Sequence, residues 1–249
     1  MQKASPNDVG KLRSLWIILT SFWFMADTCG RAILKSLFGT ISRQWCNQEL
    51  QRWSKRMIKL LKIHCTIINP YNVQPQPGRA TILMCNHASL FDIPISLQAF
   101  PSVSLRMLAK KELSRIPIMG GGMVAAEFPF IDRKNRRQAM HDLDTVNTLL
   151  KSGIVIWIAP EGTRSCTGAL APFKKGGFIT AIKTHASIIP MAIRGADQIL
   201  PARTRRFRLH QQAEVHIGKP IDASKYELDN KDALILEVHH AIQTLLTEA

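Results

Sequence analysis

The chain has 249 residues, 46% of them hydrophobic, and a formal net charge of +15 from 33 Lys+Arg against 18 Asp+Glu. That length and apolar share supply the core of one substantial α/β domain plus an appendage and exclude a wholly disordered chain. The charge points to an anionic partner, whether nucleic acid, an anionic membrane or an acidic substrate, because the excess is large and concentrated near the N-terminus and at Arg203 to Arg208.

Residues 1–13 read as a short polar lead with no signal-peptide layout. Residues 15–26 form an apolar run that is too short to cross a membrane, which takes about 20 apolar residues, and Asp27, Arg31 and Lys35 interrupt its continuation. A second helix is expected over residues 43–61, with Trp53, Met57, Leu60 and Leu61 on one face and Arg52, Lys55, Arg56, Lys59 and Lys62 around the rest. Trp and Phe on one side with Lys and Arg on the other suit helices lying in a membrane interface. Two helices packed on the domain are the plainer alternative. The membrane reading is preferred because the first helix is apolar nearly all round. The division is then 1–61 for an N-terminal two-helix membrane motif and 62–249 for an α/β domain.

Residues 62–69 read as the first strand, and the prolines at 70, 75 and 77 mark a loop. The apolar run 81–85 is a buried strand that ends at Asn86-His87-Ala88-Ser89-Leu90-Phe91-Asp92. Histidine is the side chain best placed to take and return a proton near neutrality, and a nearby carboxylate can fix its tautomer. A single histidine is more often structural, and Asp92 before Ile93-Pro94 also reads as a helix cap. Residues five apart on a helix point about 140° away from each other. His87 and Asp92 therefore meet only if residues 87–91 form a turn.

A strand over 103–109 leads to Lys110, where a lysine can grip a phosphate or simply be solvated. The glycines at 120–122 lack P-loop spacing and suggest a tight turn or close packing. A strand near 128–131 ends in Asp132-Arg133, a helix covers 135–151, and the unalternating strand 154–158 is covered on both faces. It delivers Pro160-Glu161-Gly162-Thr163-Arg164-Ser165. Arginine has the planar fork that phosphate accepts, but Glu161 and Arg164 can equally pair in a surface turn. A helix over 173–184 follows, then a strand at 188–193 whose Pro190 argues for an edge or a bulge. A basic cluster at 203–208, a strand at 214–217 and a closing helix at 231–246 complete an α/β chain, its sheet covered on both sides. The five cysteines are scattered with no C-x-x-C pair, so no metal site and no disulfide framework is expected, and a reducing compartment fits.

The order of His87-x-x-x-x-Asp92, Lys110-x-Glu112-Leu113, Ile131-Asp132-Arg133, Pro160-Glu161-Gly162-Thr163-Arg164 and Ile189-Pro190 resembles the glycerolipid acyltransferases, specifically the bacterial 1-acylglycerol-3-phosphate (lysophosphatidic acid) acyltransferase family, over about residues 60–220. Two departures stand out. Glu127 or Phe128 occupies a place where the family often has glycine, and Ala159 is small for the residue before Pro-Glu-Gly. The resemblance implies a mixed, largely parallel central sheet with helices on both faces, preceded by a two-helix membrane hairpin. It implies that His87 is the general base and Asp92 its orienting partner. Arg164 would hold the acceptor phosphate, with Lys110 and Arg133 helping, Thr163 adding a donor, and Glu161 and Gly162 shaping the loop. The implied partners are lysophosphatidic acid, acyl-CoA or acyl-carrier protein, and the anionic cytoplasmic face of the inner membrane. No cofactor beyond the acyl donor and no nucleic acid is expected. Alternatives are another lysolipid acceptor, such as a lyso-ornithine lipid or a lysophospholipid, or a basic non-catalytic membrane- or nucleic-acid-binding protein. Cys85 and Ser89 flank His87 and offer a covalent route as the rival mechanism.

Overall fold

The computed structural model describes residues 9–247, so most of the expected polar lead, residues 1–8, lies outside it. Helix α1, Lys11–Leu37, runs for 27 residues, and α2, Arg43–Leu60, follows after a short connection with Ser42 capping it by accepting from the Trp45 N–H. The expected interruption of the first helix does not occur. Asp27 and Arg31 sit on the side turned to α2, where Asp27 pairs with Arg56 at 2.5 Å and Arg31 with Glu49 at 3.1 Å. The whole helix is consequently long and apolar enough, by length and composition alone, to cross a membrane. Leu12, Leu15, Trp16, Leu19, Phe22 and Trp23 recur at helical spacing and are all more than half exposed, forming one apolar stripe.

The main sheet orders as β1-β8-β7-β2-β6-β3, from β1 (His64–Ile68), β2 (Thr81–Cys85), β3 (Leu105–Met107), β6 (Val155–Ile158), β7 (Ser187–Arg194) and β8 (Gln212–Ile217). A short β9, Ile221–Asp222, pairs with β7. The expected strand over 103–109 is broken. Leu108 still donates to Trp157, but Ala109 turns to Pro129, so β4 (Ala109–Lys110) joins β5 (Phe130–Ile131) in a separate two-stranded sheet. β2, β3, β6 and β7 run in parallel, whereas β8 is antiparallel to β7, making the sheet mixed but mostly parallel. Parallel strands end on the same edge, so the loops after β2, β3 and β6 open together.

Helices cover both faces. Leu83 and Cys85 of β2 face a core that takes in Ile17 of α1, Met57 of α2 and Ile95 of α3 (Asp92–Ala99). Ile82 and Met84 face the opposite core, with Leu143 and Val146 of α5 (Arg136–Lys151), Phe178 of α6 (Gly176–Lys183) and Val238 of α8 (Lys231–Thr247). α6 starts later than expected because Lys174 first donates its N–H to Pro160, which holds the preceding segment against the loop after β6. Pro190 is not at an edge. β7 is central, and Pro190 fits because β9 pairs with residues 187–188 and β8 with 191–194, leaving no residue of either in register with it.

The three glycines are helical, within α4 (Met119–Ala125), and they serve close packing rather than a turn. A Cβ on Gly122 would lie 2.4 Å from the Cβ and 2.5 Å from the Cα of Cys29 in α1. Alanine at 122 would gain up to about 1 kcal/mol of helix propensity, but the backbone it meets cannot yield without moving α1. We expect Gly122→Ala to destabilise by about 1–3 kcal/mol, as overpacking does, read as a lower thermal midpoint. Gly121→Ala should be milder, because its nearest neighbour is the flexible Ile33 Cδ1 at 3.2 Å. A last small helix, α7 (Ala196–Ile199), leads from β7 into the arginine-rich segment.

Candidate active site

His87 leaves the C-terminal end of β2 in a turn that closes on Asp92. The His87 Nδ1 and Asp92 Oδ2 are 2.7 Å apart. The same oxygen accepts the backbone N–H of Ala88 at 2.7 Å and of Ser89 at 2.9 Å. Asp92 is the first residue of α3, but the carboxylate reaches back to the turn, and Phe91 occupies the cap position. The aspartate is fully buried and the histidine side chain is 18% exposed. A carboxylate only accepts, so Nδ1 is the donor, and the neutral ring then presents Nε2 as an acceptor, the form a general base needs. Trp157 in β6 packs edge-to-face with the imidazole, with ring centroids 5.8 Å apart at 81°.

The neighbouring strands hold this turn in place. Asn86 exchanges two hydrogen bonds with Ile193 of β7, its Oδ1 accepting at 2.8 Å and its Nδ2 donating at 3.0 Å. The loop after β6 grips the other side. The Glu161 Oε1 accepts the His87 N–H at 2.9 Å, and the Ser165 N–H donates to the His87 carbonyl at 2.7 Å. The loops bearing His87 and Arg164 are thus hydrogen-bonded to each other on one sheet edge. A narrow cleft lies beside them, lined by His87, Ala88, Glu161, Ser165 and Leu170 among others.

Glu161 does not pair with Arg164. It is buried, and its second oxygen accepts the Ala171 N–H at 3.0 Å, so it braces the loop through backbone groups. Gly162 takes φ 78°, the left-handed conformation glycine tolerates best, and turns the chain between Glu161 and the exposed Thr163. Arg164 is half-buried and has no hydrogen bond or ion pair among the described residues. A guanidinium so placed can accept an anionic ligand without first giving up a partner. Arg133 follows β5 and donates to the Gly162 carbonyl, which ties it to the same loop. Lys110 in β4 pairs with Glu112 at 3.0 Å, and Lys134 lies 3.6 Å from that carboxylate. The two-stranded sheet therefore carries Lys110 and Arg133, and Arg133 joins it to the Arg164 loop.

Asn86 and Trp157 were given no role by the sequence. The only signals were an asparagine at a strand end and an aromatic inside an aliphatic strand. Glu127 accounts for one departure from the family pattern. It holds φ 61°, a conformation glycine adopts more readily, and Arg43 clasps its carboxylate with two bonds of 2.7 Å. Those hydrogen bonds also hold the Glu127 carboxyl below its ordinary range.

A buried carboxylate fixing a strand-end imidazole, with Arg164 unpaired among the described residues on the adjoining loop, is an arrangement that can move a proton beside an anion. Residues 64–194 match the Acyltransferase family model, and the chain belongs to that family. Mouse 1-acyl-sn-glycerol-3-phosphate acyltransferase alpha is 27% identical over 200 residues, covering 78% of this chain and 70% of that protein. The 1-acyl-sn-glycerol-3-phosphate acyltransferase of Cocos nucifera is 40% identical over 177 residues, covering 70% of this chain and 56% of that protein. The crystal structure of the 1-acyl-sn-glycerophosphate acyltransferase PlsC from Thermotoga maritima superposes with a TM-score of 0.76 at 23% identity, covering 96% of each chain, a likeness of fold.

Proposed function

We propose that this protein transfers a fatty acyl group from a thioester donor to the sn-2 hydroxyl of 1-acylglycerol-3-phosphate, making phosphatidic acid. The observation that carries this is the 2.7 Å contact between His87 and Asp92 on the same edge as Arg164. The His87 Nε2 takes the hydroxyl proton as the oxygen attacks the thioester carbonyl. The carbon–sulfur bond then breaks, and the imidazolium returns the proton to the departing thiolate. Asp92 stabilises the imidazolium. Arg164 holds the phosphate, Arg133 and Lys110 border it, and Thr163 adds a neutral donor. Lys110 leaves Glu112 at little cost, since solvent screens so exposed a pair.

Direct attack is favoured over an acyl-enzyme by the surroundings of the two candidate nucleophiles. The fully buried Ser89 donates its hydroxyl to the Leu200 carbonyl at 2.9 Å. Burial raises the Cys85 thiol well above its ordinary pKa, which keeps it protonated.

The apolar stripe of α1 supports a seat on a membrane, where a monoacyl acceptor resides. A monotopic seat, not a span, is supported by the ion pairs of α1 with α2 and the close packing of α1 on Gly122, all of which a spanning α1 would abandon.

Acyl transfer from acyl-CoA and from acyl-carrier protein to a panel of lysolipids tests the reading. Phosphatidic acid should form fastest with 1-acylglycerol-3-phosphate, and faster product from an uncharged or zwitterionic lysolipid would overturn the acceptor. Arg164→Ala removes a charged hydrogen-bond donor, typically worth about 1.5–3 kcal/mol. We expect it to raise KM for the phosphate acceptor roughly tenfold to hundredfold and to change KM for the donor little.

A further inference from the structure

The acyl-transfer chemistry leaves unused the arginine cluster between α7 and β8. Its anchors are specific. Phe207 is buried and meets Phe91, of the turn between His87 and Asp92, edge-on at 6.5 Å between centroids. The Ser89 hydroxyl holds the Leu200 carbonyl at the other end of the loop. The Phe207 carbonyl accepts the Val9 N–H at 3.1 Å, which sets the loop against the start of α1. Within the loop, Thr204 bonds back to Pro201, and the Arg206 N–H is 3.4 Å from the Thr204 hydroxyl. Arg203, Arg205 and Arg206 are exposed and have no carboxylate partner among the described residues. The nearest acid in sequence, Asp197, accepts from Gln198.

Cations and apolar side chains therefore meet at one place. Lys11 and Arg13, both exposed, belong to the first turn of α1, alongside Leu12, Leu15 and Trp16. Leu90, 56% exposed, stands in the motif turn that the loop brackets.

We propose that the loop at 201–206 is an anionic-lipid contact that seats the mouth of the His87 turn against the leaflet. Arginines beside an apolar ridge match a charged headgroup layer over hydrocarbon. Nucleic acid would satisfy the charge but leave Leu12, Trp16, Phe22 and Trp23 in water. The lipid contact stands on its own, and only its orienting role rests on the acyltransferase reading.

The test measures co-sedimentation of the full chain with vesicles of phosphatidylcholine alone and of phosphatidylcholine mixed with phosphatidylglycerol. The wild type is compared with Arg203→Gln/Arg205→Gln/Arg206→Gln and with the corresponding triple lysine variant. The wild type should prefer the anionic vesicles at least tenfold, with the preference shrinking as salt rises. The glutamine variant should lose roughly fivefold in affinity per arginine, the equivalent of on the order of 1 kcal/mol each. The lysine variant should regain most of it. All three should transfer acyl groups equally in uncharged detergent micelles. Equal vesicle binding by the wild type and the glutamine variant would overturn the proposal. So would displacement of the vesicles by duplex DNA at matched phosphate concentration. Loss of the micelle activity in the glutamine variant alone would place the arginines in the site and overturn it as well. No transfer by the wild type in micelles would count against the acyltransferase reading and leave the vesicle result to be judged by itself.

Discussion

Replacing His87 by alanine should leave the protein folded and slow acyl transfer by about 10²–10⁴-fold, the usual worth of a positioned general base. The fold should survive because the turn keeps its backbone bonds without the imidazole. Asp92 keeps the Ala88 and Ser89 N–H groups, and Glu161 and Ser165 bind the backbone of residue 87, not its side chain. The loss should appear in kcat with KM for both substrates near wild type, since no ground-state contact to phosphate or acyl chain is assigned to the ring. An unchanged thermal midpoint with a collapsed rate is the expected pair of results. Transfer at the wild-type rate would remove His87 from the mechanism. Labelled donor incubated without acceptor should leave no covalent label on the wild type. Label on Cys85 or Ser89 would replace direct attack by an acyl-enzyme route.

The parts legible in the sequence are those governed by local pattern. The strands at 81–85 and 155–158 are unbroken apolar runs, and burial on both faces leaves no other reading of them. The turn at 87–91 was legible because helix geometry excludes the alternative if His87 and Asp92 are to touch. What stayed hidden depends on partners distant in sequence. Asp27 and Arg31 looked like interruptions because the sequence does not show Arg56 and Glu49 across from them. The triple glycine read as a tight turn or close packing, and the choice between them is set by Cys29, some ninety positions earlier by numbering. Pro190 read as a mark of an edge or a bulge because a gap between β8 and β9 has no local signature.

The proposed anion side of the site divides in the same way. Arg164 was marked by its motif, and the structure finds it without a partner among the described residues. Glu161 was ambiguous, since a carboxylate three residues from an arginine ordinarily suggests a pair. Its burial against two backbone N–H groups assigns it instead to bracing the loop that presents Arg164. Burying a carboxylate is tolerable only with such bonds, so Glu161 links the placement of His87 to that of Arg164.

The sharpest separation of geometry from charge comes at Asp92. In Asp92→Asn, the amide oxygen can still accept from Ala88, Ser89 and the His87 Nδ1, all of which now share Oδ2. The amide nitrogen then falls where Oδ1 is, a buried atom with no partner. The turn and the histidine tautomer are kept, and only the negative charge opposite the imidazolium is lost. We expect kcat to fall about 10²-fold, within the range for impaired general-base catalysis, with the thermal midpoint close to wild type. Asp92→Ala removes the acceptor as well. Two buried backbone N–H groups lose their partner, at about 1–3 kcal/mol each, and His87 loses the bond that orients it. That variant should melt earlier and lose activity at least tenfold further, toward the His87→Ala level. If the two variants lost the same activity while both stayed folded, the turn bonds would contribute nothing to catalysis, and Asp92 would act through its charge alone. If asparagine were as damaging as alanine and shifted the ring resonances of His87 to the other tautomer, the amide would have turned its nitrogen toward Nδ1. The preference of the Ala88 and Ser89 N–H groups for the oxygen argues against that orientation.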